Sequence, residues 1–358
     1  MLLVVPNPAF IPMTRSPISA AYAAVVTTLV LGSTAAMAQD SINIYSARHY
    51  QTDAALYAGF TKATGIAINR VDANDAGIVA RLKAEGSASP ADVVLLVDAT
   101  RLHNAEQDNL FQSIDSPLLQ QRIPAYMHSP KNTWFGFSTR ARVIVYDPKR
   151  VKASEVATYE QLADPINKGR VCLRTGTHPY NLSLFGSVAV HSGDATTEKW
   201  LAGVATNLAR KPQGGDTDQI KAVASGECAV AVANSYYLAR LMRSDKPADQ
   251  AVAKAVAIVM PNQTTTGTHM NVAGGAVAAN APHKAGAVKF LEYLASDAAQ
   301  AHFADGNNEW PVVKGAPMNN PALKAMASAD FKRDTASVAD IGAKQVAVQQ
   351  MLDRVGFQ

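Results

Sequence analysis

Four tyrosines, Tyr50, Tyr180, Tyr236 and Tyr237, stand where their hydroxyls could act as ligands. Tyr236 and Tyr237 follow an apolar run, 228–233, that reads as a buried strand of a parallel sheet. Asn234 or Ser235 then offers a helix N-cap, and the tyrosines open the helix. Arg240, four residues after Tyr236 and three after Tyr237, shares their side of it. Adjacent tyrosines are ordinarily half-buried residues whose hydroxyls reach water or a backbone group. Repetition weighs against that here. Tyr50 follows a strand and precedes the helix cap Thr52-Asp53, and Tyr180, after Thr177-His178-Pro179, opens a third helix. In open α/β sheets ligands bind at this end of the strands. A helix N-terminus favours negative charge, so each phenol should ionise at less cost than a reference pKa of about 10 implies.

Phenolate is a hard anionic oxygen donor, suited to a small, highly charged cation, Fe(III) above all. The cation itself acidifies the phenol further, as it does bound water. Soft metals need a Cys or Met cluster, zinc needs His and Cys at ligand spacing, calcium needs clustered carboxylates; none stands out in the sequence. Four phenolates on Fe(III) leave a charge of −1, which Arg48 and Arg240 would offset from behind the ligands. His49 either supplements or replaces a tyrosine or is a hydrogen-bonded surface histidine.

The elements that must position these groups alternate. A strand at 41–46 leads to a helix with Leu56, Tyr57, Phe60 and Ala63 inward, ended by Gly65. A strand at 66–71, a helix at 75–85 closed by Gly86 and a fully buried strand at 91–97 complete a β-α-β-α-β unit, the signature of a parallel sheet with helices on both faces. Residues 110–124 read as polar and irregular. Two extended pieces, 134–137 and 143–146, run between lobes. A second alternating region has a helix near 159–164, a strand at 170–174, the Tyr180 helix, helices at 196–210 and 219–224, the 228 strand and a strand at 255–260. Residues 270–278 form a return crossing, helices follow at 285–294 and 298–303, and the tail 320–358 reads as amphipathic helix. The expected molecule is an α/β protein of two lobes hinged around a cleft: 39–138 with 270–358 (the place of 315–358 being open), and 139–269.

Residues 1–38 read as a cleavable secretory signal, with Arg15, an apolar stretch at 20–32 and Ala36-Met37-Ala38 before Gln39. The segment ahead of Arg15 is long for a signal, and Met13 makes a more ordinary start. No later stretch is long and apolar enough to span a bilayer, so the mature chain, 39–358, is expected to be soluble and exported, with length for two cores. Its removal takes away only Arg15 among charged residues, lowering the formal net charge from +4 to +3. Dispersed basic residues of this number make no nucleic-acid footprint. Cys172 and Cys228 each open an expected strand. In an oxidising compartment they invite a disulfide if those strands are neighbours, with two buried thiols as the alternative.

The motifs Tyr45-Ser-Ala-Arg-His-Tyr50, Pro179-Tyr180-Asn181-Leu-Ser183, Gly215-Asp216-Thr217, Asn234-Ser-Tyr236-Tyr237-Leu-Ala-Arg240 and Asn307-Asn-Glu-Trp-Pro311 resemble, in order across 41–315, the ferric-ion-binding receptors of bacterial ABC iron importers. The resemblance implies a type II periplasmic-binding-protein fold with a hinged central cleft. It also implies Fe(III) as transported ligand with no organic cofactor, an inner-membrane ABC permease as partner, a periplasmic monomer, and no catalysis. Residue by residue it makes Tyr50, Tyr180, Tyr236 and Tyr237 the ligands and Arg240 an arginine able to swing toward the metal. The Arg-His-Tyr loop is similar to a subgroup whose site has no obligatory carbonate. Trp310 departs from the family's usual tyrosine. Asp98 does not align with the family's glutamate ligand and reads as structural. Two rivals remain. Arg48, Arg240 and three helix N-termini would also suit an oxyanion receptor for phosphate or sulfate. His178, His191, His269 and Ser183 are the raw material of an exported hydrolase, without a Gly-x-Ser-x-Gly or HExxH motif.

Overall fold

The computed structural model describes residues 40–48, 50–328 and 330–357; the signal segment 1–38, Met13 and His49 lie outside the described residues. β1 (Ser41–Ser46), α1 (Asp53–Thr64), β2 (Ala67–Asp72), α2 (Asp75–Glu85) and β3 (Val93–Val97) follow one another, with β1 parallel to both β2 and β3. α1 buries Leu56, Tyr57 and Phe60 and ends at Gly65, whose φ of 75° lets its N–H return to Thr61 O. Two helices follow that apolar periodicity alone does not mark: α3 (Ala99–Gln107), capped by Asp98, and α4 (Pro117–Arg122), capped by Ser116 with proline in its first turn. The stretch 110–124 is therefore irregular only in part.

β4 (Trp134–Tyr146) is one continuous strand of 13 residues where two pieces are expected. Then come β5 (Val171–Cys172), α5 (Pro179–Ser192), α6 (Asp194–Thr206), α7 (Asp216–Ala224), β6 (Val230–Asn234), α8 (Ser235–Met242), α9 (Pro247–Ala255), β7 (Ala257–Val259), β8 (Met270–Val277), α10 (Lys284–Leu294), α11 (Asp297–Asp305), β9 (Trp310–Pro311), α12 (Pro321–Met326), α13 (Val338–Ala343) and α14 (Gln345–Arg354). The strands are ordered β2-β1-β3-β8-β4-β6-β5, with β7 and β9 against β4.

β4 spans about 40 Å at roughly 3.3 Å per residue. Its first part pairs with β8 and its last part with β6 and β7, so this strand carries the chain from one half of the sheet to the other. Because β4 and β8 run antiparallel to their neighbours, the sheet is mixed: β6 is parallel to β5 but antiparallel to β4. Gly274 and Gly275 let β8 be covered on both faces. A Cβ at the first would lie 2.7 Å from Leu102 of α3, and at the second 3.0 Å from Leu291 of α10.

The tail is three short helices rather than one. Asn320 and Ser337 cap restarts, and between them Arg333 bridges Thr268 as extended chain. α12 packs on α8, α13 on α3 and α5, and α14 on α5 and α6. The Cys172–Cys228 disulfide ties β5 to the residues leading into β6, with Cα atoms 6.0 Å apart.

Candidate metal centre

Three strand-to-helix junctions bring the tyrosines together. Tyr50 follows β1, Tyr180 is the second residue of α5, and Tyr236 and Tyr237 are the second and third of α8. His178 caps α5 through its Nδ1, which accepts the Tyr180 N–H at 3.2 Å. Burial, then Arg174 and Arg142, hold its imidazole down at about 3, neutral and so able to accept. Tyr50 and Tyr236 meet edge-to-face with ring centroids 6.0 Å apart, and Tyr236 stacks on Tyr237 at 4.0 Å. Tyr180 lies within electrostatic reach of Tyr236 and Tyr237. Tyr50, Tyr180 and Tyr236 are buried; Tyr237 is half-buried. The Tyr236 hydroxyl makes no hydrogen bond of good geometry among the described residues, with the Tyr180 hydroxyl near enough to interact with it, a costly state for a wholly buried polar group.

Beneath the rings lies a charged layer of which sequence reasoning named Arg48 but neither Arg140 nor the part played by Glu309. Arg140 of β4 donates through Nε to Glu309 Oε1 at 2.7 Å, and the Tyr50 hydroxyl donates to the same oxygen at 2.8 Å. Ser138 donates to Glu309 Oε2 at 2.7 Å, Arg48 reaches it at 3.2 Å, and Arg48 Nε also holds Asp53 at 2.7 Å. Burial would push the Glu309 carboxyl up, but Arg140 and Arg48 prevail and hold it at about 2. Arg48 is thus committed to two carboxylates, with its guanidinium 5.1 Å from the Tyr50 ring centre. Arg240 is exposed and lies 5.6 and 5.8 Å from the centres of the Tyr236 and Tyr237 rings.

The phenols do not sit below their ordinary range, contrary to the helix-terminus expectation. Burial pushes Tyr180 up to about 12, against the pull of Arg140. Burial raises Tyr236 well above 10, with the neighbouring Tyr50, Tyr180 and Tyr237 adding to it, and raises Tyr50 well above 10, with Glu309 adding to it. Desolvation and mutual repulsion outweigh the partial charge of a helix end. Without a cation these three groups are neutral phenols; ionised together they need a multiply charged cation among them.

A profile of the bacterial extracellular solute-binding proteins matches residues 55–337. The chain is 46% identical to iron uptake protein A1 of Synechocystis sp., covering 89% of this chain and 88% of that one. Among solved structures it is similar to the Trichodesmium protein IdiA (FutA) in complex with iron and citrate ligands (48% identity, TM-score 0.86, covering 89% of this chain and 100% of that one). It is also similar to the ferric binding protein from Campylobacter jejuni (34%, TM-score 0.82, 88% and 100%). The chain belongs to the bacterial extracellular solute-binding proteins. Its fold is that of the type II periplasmic binding proteins.

In this solute-binding protein the second half of the site is held by another buried pair. Arg142 Nη1 meets Asp216 Oδ2 at 2.5 Å, and Arg142 Nη2 reaches Asn181 Oδ1 at 2.5 Å. Asp216 Oδ2 also accepts the Asn234 N–H at 2.7 Å. One carboxylate therefore fixes the end of β6 and, through Arg142, the first turn of α5. Asn234 occupies the cap position of α8 without capping it by side chain; its Oδ1 faces Arg142 at 3.3 Å. Asp98 accepts from Thr100 and from Asn271 at 2.9 Å, bracing α3 against β8, a place in the frame.

The raw materials of the rivals are also placed. Ser183 and His269 do meet, at 3.0 Å, but both are buried and burial depresses the imidazole to about 4. No substrate bond can reach that pair. Of the two arginines an oxyanion receptor would use, Arg48 is already held by Asp53 and Glu309, while Arg240 meets only the Tyr236 and Tyr237 ring faces. Among the described residues no three His, Cys, Asp or Glu side chains group as metal ligands, and no helix is long and apolar enough to cross a membrane.

Proposed function

We propose that this protein captures Fe(III) in the periplasm and delivers it to an inner-membrane ABC permease, as a monomer and without catalysing a reaction. The wholly buried Tyr236 hydroxyl, without a hydrogen bond of good geometry among the described residues and ringed by Tyr50, Tyr180 and Tyr237, carries the reading. Phenolates that are costly alone become favourable around a trivalent cation, and a hard oxygen set selects one. Tyr50 would come from a first lobe, 39–138 with 270–358 (the place of 315–358 being open, since α14 packs on α5 and α6), and Tyr180, Tyr236 and Tyr237 from a second, 139–269, so closure about β4 and β8 would complete the shell. The similarity to iron-uptake and ferric-binding proteins supports the same ligand. Arg140 and Arg240 would balance the anionic complex from outside. Release follows protonation of the phenolates or reduction to Fe(II), which binds them less tightly.

The test is metal analysis with a visible spectrum of the purified protein. About one iron per chain with a phenolate-to-iron charge-transfer band is expected. Tyr236→Phe should lose at least ~100-fold in affinity, the cost of removing one anionic donor from such a shell being about 3 kcal/mol or more. An iron-loaded protein without visible colour overturns the reading.

A further inference from the structure

A cavity of about 510 Å³ is lined by Pro124, Tyr126, Trp310, Met318, Lys314 and Arg333, among others, with no acidic residue in its wall. Arg48, Arg140 and Arg142 are satisfied by carboxylates; Arg333, like the exposed Arg240, is not. Its Nη1 donates to the Pro311 carbonyl at 3.0 Å. Its guanidinium lies 5.8 Å from the Trp310 ring centre and 5.1 Å from that of Phe331. Among the described residues Arg333 forms no ion pair, and its Nε and Nη2 have no hydrogen-bond partner. A half-buried guanidinium compensated only by one carbonyl and two ring faces is poorly satisfied. The Nε–Nη2 edge left open is the fork that grips a carboxylate with two parallel hydrogen bonds. Exposed Lys314 adds a second positive charge to the wall. The rest is aromatic and aliphatic, and the volume lies within the usual range for small-molecule sites.

We propose that this cavity is a binding site for a small organic monocarboxylate with an apolar or aromatic body. The carboxylate pairs with the open edge of Arg333, and the body lies against Trp310, Tyr126 and Met318. The site does not depend on the iron reading. Its wall is nevertheless shared: Trp310 belongs to β9, and its Nε1 lies 3.4 Å from Ser235 Oγ, one residue ahead of Tyr236.

The experiment is calorimetric titration of the metal-free protein with benzoate and with hexanoate, using benzamide as the uncharged control. Saturable one-to-one binding with a Kd of about 1 mM or tighter is expected for at least one carboxylate. Benzamide should bind at least ~10-fold more weakly, and Arg333→Gln should weaken the carboxylate ~10-fold or more. Arg333→Lys keeps the charge without the fork and should lose less, which keeps the test informative if the glutamine variant is unstable by thermal melting. Arg240→Gln, in the cleft, should leave the affinity within about twofold. No saturation by about 10 mM of either carboxylate overturns the proposal. So does equal binding of benzamide, or loss of binding in Arg240→Gln with retention in Arg333→Gln.

Discussion

Arg140 and Arg142 are two residues apart on the same face of β4, both wholly buried, each paired with a distant carboxylate: Glu309 for one, Asp216 for the other. Around Arg142 the partners are Asn181, Asn234 and Asp216, groups that keep one charge whether or not a ligand is present. Around Arg140 the neighbours include Tyr50, Tyr180 and Tyr236, whose charge would change on metal binding. On the proposed reading, the same ion-pair chemistry would serve a fixed frame in one place and a ligand-responsive layer in the other. What separates the two is the company each keeps, since burial and pairing are alike.

The sharpest way to break this comparison is to neutralise each carboxylate without changing its size. Glu309→Gln and Asp216→Asn should each lower the stability of the metal-free protein by about 3–5 kcal/mol, because each strands a buried guanidinium. Denaturant unfolding reads this loss. Iron loading should restore more stability to Glu309→Gln than to Asp216→Asn, since the phenolates can replace the lost counter-charge beside Arg140 and nothing can beside Arg142. Equal recovery in the two variants would erase the distinction.

The frame can be tested further at the disulfide. Cys172→Ser combined with Cys228→Ser should cost about 2–4 kcal/mol, in line with closing a loop of sequence separation 56. The position of any visible iron band should stay where it is. A shifted band would mean that β5 and β6 tune the ligands and do not merely hold them.

A third test uses pH. His269 is bonded to the frame through its carbonyl, which accepts the Arg142 N–H at 2.9 Å. Burial, opposed by Asp334 but aided by Arg142 and His191, holds its imidazole at about 4, below its ordinary value of 6.5. The unfolded chain therefore binds the proton more readily. The contribution of this group is fully present above about pH 6.5 and is lost as the pH falls toward 4, by roughly 3 kcal/mol at most. His269→Gln should flatten the acid limb of stability against pH by that amount. Asp98, raised by burial to about 6, titrates nearby with the opposite sign, so the readout is the difference between variant and parent. An unchanged limb would remove His269 from the frame's acid sensitivity.

These contrasts also mark what was legible in the amino-acid order. The placement of the tyrosines at strand-to-helix junctions was, because a polar aromatic recurring there is a local pattern. So were β1 and the C-terminal ends of α1 and α2, where Gly65 and Gly86 act as local stop signals. Arg140 and Glu309 were not: their meaning lies in a bond across 169 residues, and an arginine inside an apolar strand only looks like an interruption. That interruption was the signal, since a charge in the middle of a buried strand must find a partner. The mixed sheet was hidden for a related reason, as strand composition does not state direction when a crossing strand replaces a helical crossover. The raised phenols show the limit of arguing from one local term, because a helix end is visible in sequence and the depth of burial is not.

The smallest effect belongs to Arg240, and it asks on which side of the comparison an exposed arginine falls. Its guanidinium touches only ring faces, at 5.6 and 5.8 Å from their centres, an arrangement worth about 0.5–1 kcal/mol in an exposed setting. Removing it should leave the stability of the metal-free protein within about 1 kcal/mol. Four phenolates around Fe(III) carry one excess negative charge, so Arg240→Gln should weaken iron binding about three- to tenfold at low salt. That deficit should shrink as ionic strength approaches 0.15 M, where the screening length is about 8 Å. A salt-independent loss, or a loss of stability without iron, would assign Arg240 to the frame with Arg142. The excess charge would then have to be balanced by Arg140 alone, from a position water and salt cannot screen.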